Sequence, residues 1–245
     1  MKVLSLGNSF SQDAHKWLHT LAAACGVEIE TVNLCIAGCS LERHWNGYVN
    51  NLADYSLERN GGIGERKISL LEALETDTYD VITLQQGSML SGRPQSYVPY
   101  ITKLADLLRE KQPQARLMFH QTWAYEVDFS PEGVPFAAYQ YRQDEMHRRL
   151  VDASEMAAKL IDGDLIPTGT IIQKLRTQLP EFDYPNGGMS LCRDGYHLTL
   201  DYGRFIAAVV WFETITGQKV QLEQFEDFDP VLIGKILSVI SANEA

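Results

Sequence analysis

The chain has 245 residues, 45% of them hydrophobic and 22% charged, with 32 acidic against 21 basic side chains and a formal net charge of −11. That balance excludes a disordered chain, and it leaves no basic face for a nucleic acid or an anionic membrane. No apolar run approaches the roughly 18 residues of a membrane span. The start turns polar at Gly7-Asn8-Ser9, too soon for a secretory leader, so a cytoplasmic location is the default expectation, with export left open if a leader has been removed.

Val3 to Leu6 is a short apolar run closed by Gly7 and reads as a first, central strand. Ala14, Trp17, Leu18, Leu21, Ala22 and Cys25 then recur at three- and four-residue steps, the pattern of a helix packed on one face, and Gly26 stops it. A second strand runs through the segment from Val27 to Gly38, and a third through Asp80 to Gly87. Tyr100, Leu104, Leu107 and Leu108 mark a helix, and Arg116 to Trp123 holds a fourth strand. A long segment runs from Phe136 to Ala158, with His147 on a helix, a short fifth strand falls in Lys159 to Asp164, and a last long helix covers Tyr202 to Thr216. Segments 58–67 and 182–195 read as surface loops, and His15, His44 and His147 as surface residues. Cys25, Cys35, Cys39 and Cys192 form no C-x-x-C pair and read as buried free thiols, with no metal site expected.

Strand and helix alternating in this way build a parallel sheet, five-stranded here, with helices on both faces. No linker or repeat divides the chain. One domain over 1–245 is expected, with a core of about 2–216 and a helical extension over 217–245 whose apolar face packs on the domain or on a second subunit.

Parallel sheets bind ligands beyond the carboxyl ends of their strands. Ser9, Gly38 and Gln86 each follow a different strand at that edge, and Asp194 and His197 precede the last helix. An acid three residues from a histidine can orient one imidazole nitrogen and leave the other to take a proton from a serine hydroxyl. The oxyanion that follows needs donors, for which the Ser9 N–H, the Gly38 N–H and the Gln86 amide are candidates. Taken singly, Ser9 is equally a turn or cap residue and Ser11 a helix N-cap. His120 and Trp123, after the fourth strand, are candidates to line a sugar-sized pocket.

Four short blocks, in order, resemble those of the SGNH (GDSL-type) hydrolases and their carbohydrate-esterase branches. Gly7-Asn8-Ser9-Phe10-Ser11 resembles the Gly-Asp-Ser block and implies Ser9 as nucleophile and oxyanion donor, with Asn8 in place of the usual Asp. Ile36-Ala37-Gly38 supplies the second block's glycine, Gln85-Gln86-Gly87 stands where a Gly-x-Asn-Asp block is usual, and Asp194-Gly195-Tyr196-His197 matches the terminal Asp-x-x-His. The resemblance implies a flavodoxin-like three-layer α/β/α fold and a serine esterase with catalytic Ser9, His197 and Asp194. Its oxyanion site would be Ser9, Gly38 and Gln86, and its substrate contacts Gln85, His120, Trp123 and Tyr196. Such chemistry needs neither metal nor cofactor. The expected substrate is a small acyl ester, acetyl above all, on a carbohydrate. The alternatives are a non-catalytic sugar- or small-ligand-binding module on the same fold and an O-acyltransferase.

Overall fold

The computed structural model describes residues 1–129 and 135–242. Its centre is a seven-stranded sheet made of β1 (Lys2–Gly7), β2 (Glu30–Cys35), β3 (Tyr55–Arg59), β4 (Gly62–Ile68), β5 (Val81–Leu84), β6 (Arg116–His120) and β7 (Asp164–Ile166), in the order β4-β3-β2-β1-β5-β6-β7. The five strands from β2 to β7 across β1 pair in parallel, as expected, with β1 between β2 and β5. The surface loop expected over 58–67 is instead an antiparallel hairpin that extends the sheet beyond β2. Its turn is Asn60-Gly61 with φ of +48° and +73°. Two positive φ values at the centre of a two-residue loop give the twist that joins neighbouring strands, and Asn-Gly adopts them readily.

The helices are α1 (Ser9–Ala24), α2 (Leu41–Val49), α3 (Leu70–Thr76), α4 (Tyr100–Lys111), α5 (Gln143–Leu160), α6 (Thr168–Gln178), α7 (Tyr202–Thr216) and α8 (Pro230–Ser241). Strand residues alternate between two cores. Val3, Val81 and Met118 face the core shared with α1, α6, α7 and α8, while Leu4, Leu6, Ile82 and Leu84 face the one shared with α2, α3 and α4. The result is the three-layer arrangement expected from the sequence. Within the long segment from Phe136 to Ala158, Gln140 and Tyr141 adopt φ of +57° and +54° and separate a 3-10 turn at Pro135–Tyr139 from α5. Lys159 and Leu160 finish α5, so the fifth parallel strand begins only at Asp164. Helix α6, not foreseen, buries Ile171, Ile172 and Leu175. Leu232, Ile233, Ile236 and Ile240 of α8 join the core beside α6, while the last three residues of the C-terminal segment lie outside the described residues. Among the described residues, no helix is long and apolar enough to cross a membrane.

Candidate active site

Strand β1 is the middle of the sheet, and its carboxyl end turns directly into α1. Asn8 is the N-cap and Ser9 the first helical residue. A helix leaves its first N–H groups without intrahelical partners. The Asn8 N–H is met by Ser11 Oγ at 3.1 Å and the Phe10 N–H by Asn8 Oδ1 at 2.9 Å. The Ser9 N–H has no hydrogen-bond partner among the described residues, nor does that of Gly38, in the turn after β2 at φ +62°. Gly7 cannot be larger: a Cβ there would lie 1.9 Å from Ser11 Oγ and 2.6 Å from Asn33 Oδ1.

The second half of the site comes from the loop before α7. A β-bridge between Cys192 and Leu198 and the Arg193 N–H to His197 carbonyl bond of 2.9 Å fold residues 193–197 into a tight loop. Within it Asp194 Oδ1 accepts the backbone N–H of His197 at 2.8 Å, and Oδ2 lies 2.7 Å from His197 Nδ1. The other ring nitrogen, Nε2, is 2.8 Å from Ser9 Oγ. The three side chains proposed from opposite ends of the chain therefore stand in hydrogen-bonded series. Burial by itself would raise the Asp194 carboxyl, but the bonds from the His197 ring and from the His197 and Tyr196 N–H groups outweigh it and hold the group below its ordinary range. An ionised Asp194 fixes a proton on Nδ1 and leaves Nε2 as the acceptor of the serine proton.

Asp13, one helical turn beyond Ser9, joins the two halves, and sequence reasoning missed it. It is fully buried and accepts the Leu198 N–H at 2.9 Å, Arg204 Nε at 2.8 Å and Arg193 Nη1 at 3.1 Å. The helix that carries Ser9 is thus bolted to both flanks of the loop that carries His197. An acid three residues after Phe10 and four before Trp17 was the available signal, because a charge on an apolar stripe must be paired.

Four expected contacts are corrected. Gln86, expected to face the oxyanion, is 1% exposed and saturated: Nε2 donates to Ser96 O and Ser96 Oγ, both at 3.1 Å, and Oε1 accepts the N–H groups of Leu41 and Gly87. It clamps loops rather than lining a cleft. Gln85 is equally buried, with Nε2 2.6 Å from Asn8 Oδ1 and Oε1 2.7 Å from His120 Nδ1. His120 lies in the core against Trp211, and Trp123 stacks on Phe10 with ring centroids 4.4 Å apart while donating to Tyr196 O at 2.7 Å. These three support the site from beneath and present nothing to a ligand. Tyr196 alone of the expected substrate contacts is partly exposed. Its ring lies 4.0 Å from that of His197 and continues into Phe129 and Tyr125, whose hydroxyl meets Ser88 Oγ at 3.0 Å.

His15 and His44, read as surface residues, are both buried, and His147 is half-buried. All four cysteines are free; burial pushes the thiols of Cys35, Cys39 and Cys192 up to about 12, so none is a thiolate nucleophile at neutral pH. Among the described residues no group of three His, Cys, Asp or Glu side chains could hold a metal ion.

Residues 2–233 match the family DUF4886, described as a domain of unknown function. A DUF4886 family protein from Bacteroides uniformis ATCC 8492 shares 36% identity over 100% of this chain and 94% of its own, with a TM-score of 0.89. A candidate SGNH hydrolase from Slackia heliotrinireducens is 21% identical over 88% of this chain and 98% of its own, with a TM-score of 0.59. Axe2, an acetylxylan esterase from Geobacillus stearothermophilus, superposes with a TM-score of 0.54 at 12% identity, over 90% of this chain and 96% of its own. At such identities the second and third likenesses are of fold. No curated protein matches the chain. The chain belongs to the DUF4886 family and has the fold of the SGNH hydrolases.

Proposed function

We propose that the protein is a serine esterase that removes a small acyl group, acetyl above all, from a carbohydrate hydroxyl. The observation that carries this reading is the unbroken series from Ser9 Oγ through His197 to Asp194, with both links under 3 Å. A serine held in this way beside free N–H groups is arranged for acyl transfer.

His197 Nε2 takes the hydroxyl proton as Ser9 Oγ attacks the ester carbonyl carbon. The oxyanion that forms faces the unpartnered N–H groups of Ser9 and Gly38, with no part for the saturated Gln86. The C–O bond to the sugar breaks, and the departing oxygen takes the proton from His197. Water then gives a proton to His197 and adds to the acyl-enzyme, and the acid leaves as Ser9 recovers its proton. The carbohydrate part of the reading is supported by the partly exposed Tyr196 beside the imidazole, and by structural neighbours whose names place them on acetylxylan and acetyl-xylooligosaccharides.

The test is turnover of p-nitrophenyl acetate and of acetylated xylooligosaccharides, with mass spectrometry of the quenched enzyme. The expected result is an acetyl adduct on Ser9, and a loss of at least about 10³-fold in turnover in Ser9→Ala. Undiminished turnover in Ser9→Ala would refute the reading. Acetyl transfer to added xylose in preference to water would move the protein to the acyltransferases.

A further inference from the structure

Asn8 links the backbone segments that carry the two free N–H groups. It is 1% exposed, and every polar atom of its side chain is used: Oδ1 accepts the Phe10 N–H at 2.9 Å and Gln85 Nε2 at 2.6 Å, and Nδ2 donates to Cys39 O at 3.0 Å. Ser9 is the residue after Asn8, and Gly38 the residue before Cys39. One amide therefore ties together the two backbone segments whose N–H groups face the oxyanion.

The orientation of that amide is fixed by its surroundings. Cys39 O only accepts, so nitrogen must point toward it and oxygen toward Phe10 and Gln85. Gln85 must then turn its own nitrogen to Asn8 and its oxygen to His120, whose Nδ1 is left as the donor at 2.7 Å. His120 is 0% exposed and packs on Trp123 and Trp211, and burial lowers its pKa to about 3, so it stays neutral and keeps the tautomer Gln85 requires. The aspartate usual at the position of Asn8 would set a carboxylate oxygen against the Cys39 carbonyl. The departure from the usual block and the presence of Gln85 are thus two sides of one arrangement.

We propose that Asn8 is the positioning residue of the oxyanion site, fixing the spacing of the Ser9 and Gly38 N–H groups, with Gln85 and His120 holding its amide in register. This rests on the esterase reading. Beyond capping the start of α1, the side chain couples the segments of two donors.

The experiment compares Asn8→Asp, His120→Leu and His120→Asn with wild type in kcat, KM, and the inhibition constant of phenylboronic acid, which adds to a serine Oγ and places a boronate oxygen in the oxyanion site. Leu and Asn match in size, and only Asn returns a donor at the Nδ1 position. Asn8→Asp should lower kcat about 10²-fold, the cost of a misplacement of about 1 Å, with KM changed by less than about threefold and boronate affinity falling in proportion to kcat. His120→Leu should fall in the same direction and His120→Asn should recover most of the loss. Wild-type kcat and boronate affinity in Asn8→Asp would overturn the inference, as would equal losses in the two His120 variants, which would mark a packing effect. If Asn8→Asp does not fold, the His120 pair decides. A wild-type protein without Ser9-dependent turnover refutes the esterase reading and this inference together, whereas Ser9-dependent turnover left intact by Asn8→Asp refutes this inference alone.

Discussion

Acidification from pH 7 to pH 5 should strip the fold of much of its stability, through three histidines far from solvent. His15 is 2% exposed, and His44 and His120 are 0% exposed. Burial lowers each pKa from 6.5 to about 3, helped for His44 by Arg43 and for His120 by His15. In the unfolded chain the same rings take up protons below pH 6.5, so between pH 6.5 and 3 the unfolded state binds more protons and stability falls as pH falls. Each ring contributes a loss of about 2 kcal/mol between pH 7 and 5, or about 6 kcal/mol for the three together. His147, lowered to about 4 chiefly by burial, adds to the loss. Glu58 works against it, because burial raises its carboxyl and the folded state then gains its proton first as pH falls. A loss of several kcal/mol is a large share of the roughly 5–15 kcal/mol that holds a domain together. Urea unfolding followed by circular dichroism at pH 7 and pH 5 measures the difference directly. Equal free energies at the two pH values, within about 1 kcal/mol, or ring protons of these histidines titrating near pH 6 in the folded protein, would refute the reasoning.

Two further substitutions probe the scaffold. Gly7→Ala places a methyl 1.9 Å from Ser11 Oγ, so it should cost about 1–3 kcal/mol in chemical denaturation and displace the Ser9 turn, with turnover falling more than stability. Asp13→Asn leaves Arg193 and Arg204 without their buried carboxylate; unfolding should be easier by about 3 kcal/mol, and the loop carrying His197 should show faster hydrogen exchange than β1.

The residues legible in the sequence were those whose place follows from topology. Ser9 and Gly38 come after parallel strands and so reach one edge, and the Asp194–His197 spacing sets both side chains on one tight loop. What stayed hidden was pairing across the fold. A glutamine at a strand end looks the same whether it faces a cleft or, like Gln86, meets Ser96, Leu41 and Gly87. His15 was readable in principle, since with Ser11, Leu18 and Ala22 it lies on the buried stripe of α1, but nothing local reveals the Ser5 hydroxyl 2.8 Å away that receives it. The β3–β4 hairpin did carry a local signal, Asn60-Gly61, which a reading tuned to strand–helix alternation passes over.

The packing of α1 against α7 has a consequence for folding. Ser9 and His197, like Asp13 and the two arginines that grip it, are at least 180 residues apart along the chain. A chain severed between them keeps an alcohol with no imidazole beside it, and the series from Ser9 to Asp194 closes only when the segment from Arg193 onward docks on α1.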